Sequence, residues 1–229
     1  VLLMNKIIAF DADDTLWHNE SYFQEAENKF KELLEDYLPQ HTVGRELLKT
    51  EIENLPWYGY GIKAFMLSMI ETAIRITDGH LKAQDIETII GFGRELLDKP
   101  VEKFEGVESV LQTLGDKYRL VLATKGDLLD QERKLKKSGL LGHFHHIEIM
   151  SEKKIPDFKK LIAHLDVAPE DFIMIGNSLK SDILPVLELG GTAFHIPYHV
   201  TWEHEKIHHT IENDRFHQLA KLPELLDYL

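Results

Sequence analysis

Asp11-Ala-Asp13-Asp14-Thr15 crowds three carboxyl groups into four positions, directly after the apolar run Lys6–Phe10. Such a run reads as a buried parallel strand, and the carboxyl end of a strand in an α/β sheet is where ligands bind. Asp also favours polar turns, which is the plain alternative. Three acids so close repel one another unless a cation is present, and a hard ion such as Mg²⁺ takes oxygen ligands and shares them with substrate phosphate. A carboxylate there can also attack phosphorus and form an aspartyl phosphate. Further along, Leu120–Ala123 runs into Thr124-Lys125-Gly126-Asp127, a hydroxyl and a glycine at the mouth of a helix. That turn either presents N–H groups to an anion or serves as a simple cap. Phe172–Ile175 runs into Gly176-Asn177-Ser178, with Asp182 five residues beyond Asn177, and Lys153 and Lys154 stand between a strand and a helix. Four separate segments thus bring oxygen-binding or cationic groups to one edge of a sheet.

The elements that must position these groups follow from periodicity. After the first strand, Ser21–Tyr37 shows helical spacing, and three more helical stretches fall at about 43–54, 60–76 and 83–98, punctuated by Gly and Pro. No convincing strand lies between about 18 and 99. Beyond Pro100 the pattern alternates: helix 106–114, strand 118–124, helix 127–138, strand 146–150, helix 157–165, strand 171–176, helix 181–189 and strand 192–196. Alternating β and α elements with short connections predict a parallel sheet covered by helices, with the all-helical block inserted after the first strand. The expected domains are 1–17 with 100–229, and 18–99.

In this order and context the chain resembles the haloacid dehalogenase-like hydrolase superfamily over nearly its full length. The four motifs of that family are matched by Asp11-Ala-Asp13-Asp14-Thr15, Thr124, Lys153 (or Lys154) and Gly176-Asn177 through Asp182. The resemblance implies a Rossmann-like α/β core with an inserted helical cap, and a Mg²⁺-dependent phosphatase working on a small phosphorylated metabolite. It implies that Asp11 is the nucleophile and a metal ligand, and that Asp13 is the general acid and later base, holding the metal through its backbone carbonyl. Thr124, with the N–H of Lys125, would bind the transferring phosphoryl group. Lys153, preferred to Lys154 because Ser151-Glu152-Lys153 precedes Phe158 by the spacing of relatives, would neutralise charge. Asp182 would hold the metal directly or through water. Dehalogenases of the family lack an acid two residues after the first Asp, because displaced halide needs no proton; Asp13 therefore favours phosphomonoesters. Asn177 stands where the family usually has Asp. It can ligate Mg²⁺ but carries no charge, which implies weaker metal binding, a larger role for Asp182, or a phosphate-ligand binder without strong catalysis. Phosphonate cleavage and phosphomutase chemistry occur on the same fold.

Other signals compete. His204-Glu205-Lys206-Ile207-His208 fits the His-Glu-x-x-His zinc-protease signature. The 13 His residues make an accidental match easy, Lys206 sits where such helices are apolar, and only 21 residues follow His208 to supply a third ligand. The segment 197–209 reads instead as a loop or short helix. His143, His145 and His146 read as a loop and strand start. Arg133, Lys134, Lys136 and Lys137 read as a solvated face whose charges suit a helix C-terminus. Near the insertion, Trp17 and His18 lie at a hinge and are candidate substrate neighbours. So are Tyr60 and Lys63, in the aromatic and glycine-rich stretch Trp57–Lys63, and Lys63 would be the imine-forming lysine of a phosphonate-cleaving relative.

Composition sets outer limits. Of 229 residues, 26 are Lys or Arg and 39 Asp or Glu, for a formal net charge of −13. The excess is spread over both parts, with 15 acidic and 9 basic residues between 18 and 99. No basic half is available for a nucleic acid polymer or an anionic membrane. The absence of cysteine removes disulfides and thiol chemistry, and no apolar run reaches the roughly 18 residues of a membrane helix. Val1–Phe10 is read as a strand, with Met4 the natural start and Val1–Leu3 an extension, and a cytoplasmic location is expected.

Overall fold

The computed structural model describes residues 6–207 and 210–229; the proposed start at Met4 and His208 of the His-Glu-x-x-His match lie outside them. In chain order the elements are β1 (Ile7–Phe10), α1 (Glu20–Leu33), α2 (Gln40–Tyr58), α3 (Ile62–Ile76), α4 (Ala83–Asp98), α5 (Val107–Gly115), β2 (Arg119–Lys125), α6 (Leu128–Ser138), β3 (His146–Met150), α7 (Ile155–His164), β4 (Phe172–Gly176), α8 (Leu184–Glu188), β5 (Thr192–His195) and β6 (Phe216–Gln218). The six strands form one sheet in the order β3-β2-β1-β4-β5-β6, and every pairing is parallel. All carboxyl ends therefore lie along one edge. β1 is central, which is why its four residues are fully buried.

Alternation along β1 splits the core between the two faces of the sheet. Ile8 and Phe10 pack with Val110, Leu111 and Leu114 of α5, while Ile7 and Ala9 pack with Phe158, Leu161 and Ile162 of α7. The sequence reading missed β6. It has three residues, none fully buried, after a long irregular stretch, so it lacks the apolar run by which the other strands announce themselves.

The chain divides into two compact units. One comprises the residues up to Glu20, Val101–Lys125 and Gln131–Leu229; the other comprises Ser21–Pro100 with Gly126–Asp130. Residues 18–20 go with the sheet for a local reason: His18 N–H donates to Glu102 O, and Asp14 Oδ1 accepts from the N–H groups of Asn19 and Glu20. The described residues of the helical unit contain no strand. Its core joins Phe30, Leu34, Val43, Leu47, Phe65, Met69 and Ile89. α2 runs past the expected end at 54 and carries Pro56 in its last turn, where Gly59 N–H closes the helix on Leu55 O. Gly126–Asp130 joins this unit through Lys63 Nζ and Asp127 Oδ2, 2.8 Å apart, and through the close approach of Gly61 to Asp127. No helix among the described residues is long and apolar enough to cross a membrane.

Candidate active site

The segment after β1 is a tight turn. Thr15 and Leu16 N–H donate to Ala12 O, and Asp14 N–H donates to Trp17 O at 2.7 Å. Asp14 adopts φ +61°, the left-handed region that Asp tolerates better than most side chains. Its carboxylate caps the N–H groups of Asn19 and Glu20, and burial, helped by Asp13, pushes its carboxyl up to about 7. Asp14 is thus the structural member of the three acids. The turn leaves Asp11 and Asp13 to face different surroundings.

Asp11 is buried against Lys153, whose Nζ lies between it and Asp182, donating to Asp11 Oδ1 and to Asp182 Oδ1 at 2.7 Å. Lys153 is only 3% exposed. Burial opposes its charge, but Asp11 and Asp182 together overcome that and hold the ammonium above its ordinary range. Burial likewise pushes Asp11 up to about 7 while Lys153 pulls it down and Asp182 pushes it up. The neighbouring Lys154 instead extends into solvent, 3.6 Å from Glu152. Asp182 sits at the π-helical turn Leu179–Ile183 and accepts from Ser178 N–H at 3.0 Å. Its carboxylate lies directly over Gly176: a Cβ there would meet Asp182 Oδ2 at 2.2 Å. Glycine at the end of β4 is required by that approach.

Asp13 is held by another set of groups. Lys134 Nζ donates to both of its carboxylate oxygens at 2.7 Å, Trp17 Nε1 to Oδ1 at 2.7 Å, and Gln131 Nε2 to Oδ2 at 3.0 Å. Gln131 Nε2 also donates to Thr124 Oγ1 at 2.7 Å and to Lys125 O at 3.0 Å. One amide therefore joins Asp13 to the end of β2. This corrects the solvated reading of the basic run for Lys134, because α6 turns that residue toward Asp13. Trp17 is 1% exposed, so its indole orients Asp13 from within the core. His18 packs on Phe104, ring centroids 4.3 Å apart, and its Nδ1 lies 2.9 Å from Tyr198 Oη. Tyr60 and Lys63 belong to the helical unit, where Lys63 pairs with Asp127.

The oxygen-rich side of Asp11 suits a hard cation. Among the described residues no three acidic or histidine side chains converge on one point, since Lys153 stands between Asp11 and Asp182. The set that does converge is mixed. One end of the Asn177 amide lies 3.2 Å from Asp11 Oδ2 and 3.2 Å from the backbone carbonyl oxygen of Asp13. With nitrogen there, the amide donates to both; with oxygen there, three oxygens face one another and a cation must hold them together. An amide satisfies the site in both states by rotating, which a carboxylate cannot do. The donor set is all oxygen and carries few formal charges, which fits Mg²⁺. The turn bearing Asn177 is fixed from below by His195, whose Nε2 lies 2.9 Å from Asn177 O, and burial keeps that ring below its ordinary pKa.

His204-Glu205 is not on the long helix a zinc protease needs. Glu203–Glu205 is a single 3-10 turn, and the Glu205 carboxylate is engaged by Lys125.

A family model for haloacid dehalogenase-like hydrolases matches residues 5–190. The chain belongs to that family. The hydrolase is similar to a haloacid dehalogenase-like family hydrolase from Xanthomonas campestris at 38% identity, with a TM-score of 0.88 over 97% of this chain and 89% of that one. A "putative HAD-hydrolase" from Bacillus subtilis, YfnB, bound to magnesium, shares 18% identity with a TM-score of 0.67, covering 98% of both chains. A "predicted phosphoglycolate phosphatase" from Haemophilus somnus shares 16% identity with a TM-score of 0.62, covering 97% of both. Dehalogenases stand among the other structural neighbours, so the fold does not choose between the two chemistries. No curated relative matches the chain.

Proposed function

We propose that this hydrolase is a Mg²⁺-dependent phosphatase that cleaves the phosphomonoester of a small metabolite. The observation that carries this reading is the Asp13 carboxylate, held by Lys134, Trp17 and Gln131 and linked through Gln131 to Thr124. An alkoxide leaving group needs a proton and the later attack of water needs a base, whereas halide displacement needs no leaving-group proton. A dehalogenase would have no use for so carefully supported an acid beside its nucleophile.

In the proposed reaction Asp11 attacks phosphorus in line while Asp13 protonates the departing oxygen. Water, deprotonated by Asp13, then hydrolyses the phosphoaspartate. Thr15 Oγ1, which donates to Asp11 Oδ2 at 3.1 Å, restricts the carboxylate rotamer and leaves it aimed. Lys153 favours the ionised form of Asp11 against burial, which still leaves that carboxyl at about 7, and balances charge on the transferring group. Thr124 and the Lys125 N–H would bind phosphoryl oxygens at the end of β2. Asp11, the Asp13 carbonyl, Asn177 and, directly or through water, Asp182 would hold Mg²⁺, which when bound offsets negative charge between carboxylate and phosphate. For phosphonate cleavage Lys63 would have to be a free amine, but it pairs with Asp127.

The test is hydrolysis of p-nitrophenyl phosphate with Mg²⁺, followed by a panel of phosphorylated metabolites. Asp11→Asn should lower turnover by at least about 10³-fold. Retained turnover would exclude Asp11 as nucleophile, and a wild-type protein that releases halide from 2-haloacids but no phosphate would replace phosphatase with dehalogenase.

A further inference from the structure

Glu205 has no part in the chemistry above, yet its carboxylate reaches the ends of two strands far from it in sequence. Lys125 Nζ donates to Oε1 at 2.7 Å, while Ser178 Oγ and Ser181 Oγ donate to Oε2 at 2.5 and 2.6 Å. Lys125 Nζ also donates to Ser181 Oγ at 3.1 Å, closing the group. The Glu205 side chain is 12% exposed and that of Lys125 14%. Burial would raise the Glu205 carboxyl, but Lys125 and the two hydroxyls hold it down at about 2.

The position of this group gives it meaning. Lys125 ends β2, and Ser178 and Ser181 follow β4. β2 and β4 are the two neighbours of β1, so Glu205 ties together the turns on either side of the strand that delivers Asp11. Each turn carries part of the site. Thr124 and the Lys125 N–H belong to the first; in the second, Ser178 N–H donates to Asp182, and Asp182 in turn accepts from Lys153.

We infer that Glu205 is a positioning residue that braces the phosphoryl site, fixing the separation of the turn after β2 and the turn after β4 across Asp11. The inference rests on the phosphatase reading. A carboxylate suits this place because one ammonium and two hydroxyls all donate to its two oxygens. Glutamine keeps the volume but loses the charge that faces Lys125, and its NH₂ group can face the serines only if a hydroxyl turns from donating to accepting, so Glu205→Gln weakens the brace.

The test compares wild type, Glu205→Gln, Lys125→Met and the double variant in p-nitrophenyl phosphate hydrolysis at saturating Mg²⁺. Amide hydrogen exchange is read over 124–127 and 177–183 in the same proteins. Glu205→Gln should lower kcat by about 10- to 100-fold with KM within about threefold, because the misplaced groups act on the transition state. The double variant should be no slower than the slower single variant, since the two residues act as one unit. Exchange should quicken in both segments together. A kcat within twofold of wild type, multiplicative losses in the double variant, quickened exchange at 203–205 alone, or a uniform rise across the sheet would each overturn the brace. A wild type that hydrolyses no phosphomonoester sinks the phosphatase reading, and the exchange comparison still decides the fate of the brace.

Discussion

At the carboxyl edge of the sheet, Lys153 is buried between two carboxylates; between α2 and α3, Thr50, Ser68, Thr72 and Asn54 are buried against one another. In both regions these side chains bond to one another. Thr72 Oγ1 donates to Thr50 Oγ1 at 2.7 Å, and Asn54 Nδ2 donates to Ser68 Oγ at 3.1 Å. The helical cluster is neutral at its centre, and its charged members, Arg75 and Glu71, lie toward its rim. Replacing both partners of a neutral pair by apolar groups of the same shape is nearly free, whereas removing one partner of a buried ion pair strands the other. The two regions therefore differ in what each residue depends on. In the helices polar pairs hold register; at the sheet edge each charge is tolerated only because its neighbours are there.

Lys153→Met should break that dependence most severely. It strands Asp11 and Asp182, and should lower kcat by at least about 10³-fold and stability by about 3–5 kcal/mol in urea titration at pH 8. The paired change Thr50→Val with Thr72→Val should cost no more than about 2 kcal/mol with kcat unchanged, since Arg75, which also donates to Thr50, keeps Glu53 and solvent. Equal destabilisation by the two sets would erase the distinction between the regions.

Lys134→Met sharpens it within the site. Asp13 retains Trp17 and Gln131 but loses the contact that orients both of its oxygens, and kcat for alkyl phosphates should fall about tenfold because the acid is misplaced. The loss for p-nitrophenyl phosphate should be smaller, because that leaving group departs without a proton. A leaving-group series in which both fall equally would show that Lys134 does not act through Asp13.

Asn177→Asp adds a charge where the amide now serves two states. Calorimetric Mg²⁺ affinity should rise about tenfold. Without Mg²⁺ the variant should melt below wild type, since a carboxylate cannot donate to Asp11 and the Asp13 carbonyl. Unchanged affinity would place the metal away from Asn177.

The smallest effect belongs to the helical unit. Burial, with Glu27 adding, pushes the Glu51 carboxyl from an ordinary 4.5 up to about 8. The folded chain therefore binds a proton that the unfolded chain releases between those values. The stability contributed by this group is complete below about pH 4.5 and lost as pH rises through about 8. Glu51 keeps partial solvent contact, so the change should be about 1–2 kcal/mol. Glu51→Gln should flatten that part of the stability profile in urea titrations from pH 5 to 8.5 and leave the pH dependence of kcat unaltered. A decline of the same slope in the variant would place its origin elsewhere.

Much of the site is legible because it lies on strand ends. Asp11, Thr124, Lys153 and Asn177 each follow an apolar run, and a parallel sheet must bring such ends to one edge. Asp182 is legible by its spacing from Gly176, and Gly176 by the carboxylate it must admit. What escaped lies on helices and loops, where direction decides. Arg133, Lys134, Lys136 and Lys137 are alike in composition, but only Lys134 stands three residues from Gln131 and four from Ser138, both of which are buried. That spacing was available as a signal. Glu205 offered none, because its partners at 125, 178 and 181 are distant in sequence and its own local pattern pointed to zinc.

The sequence by itself determined the class of fold, and it pointed to the helical insertion and to the groups proposed for acid, base and nucleophilic work. Local rules suffice for these: periodicity selects helix or strand, and polar residues after apolar runs mark strand ends. Only the tertiary structure decided how those groups are paired. Asp11 meets Lys153, Asp13 meets Lys134, and Lys125 meets Glu205. Pairing of buried charges depends on distances across the sheet edge of a few ångströms, and side chains from separate elements acquire such distances only when the sheet and its covering helices have assembled.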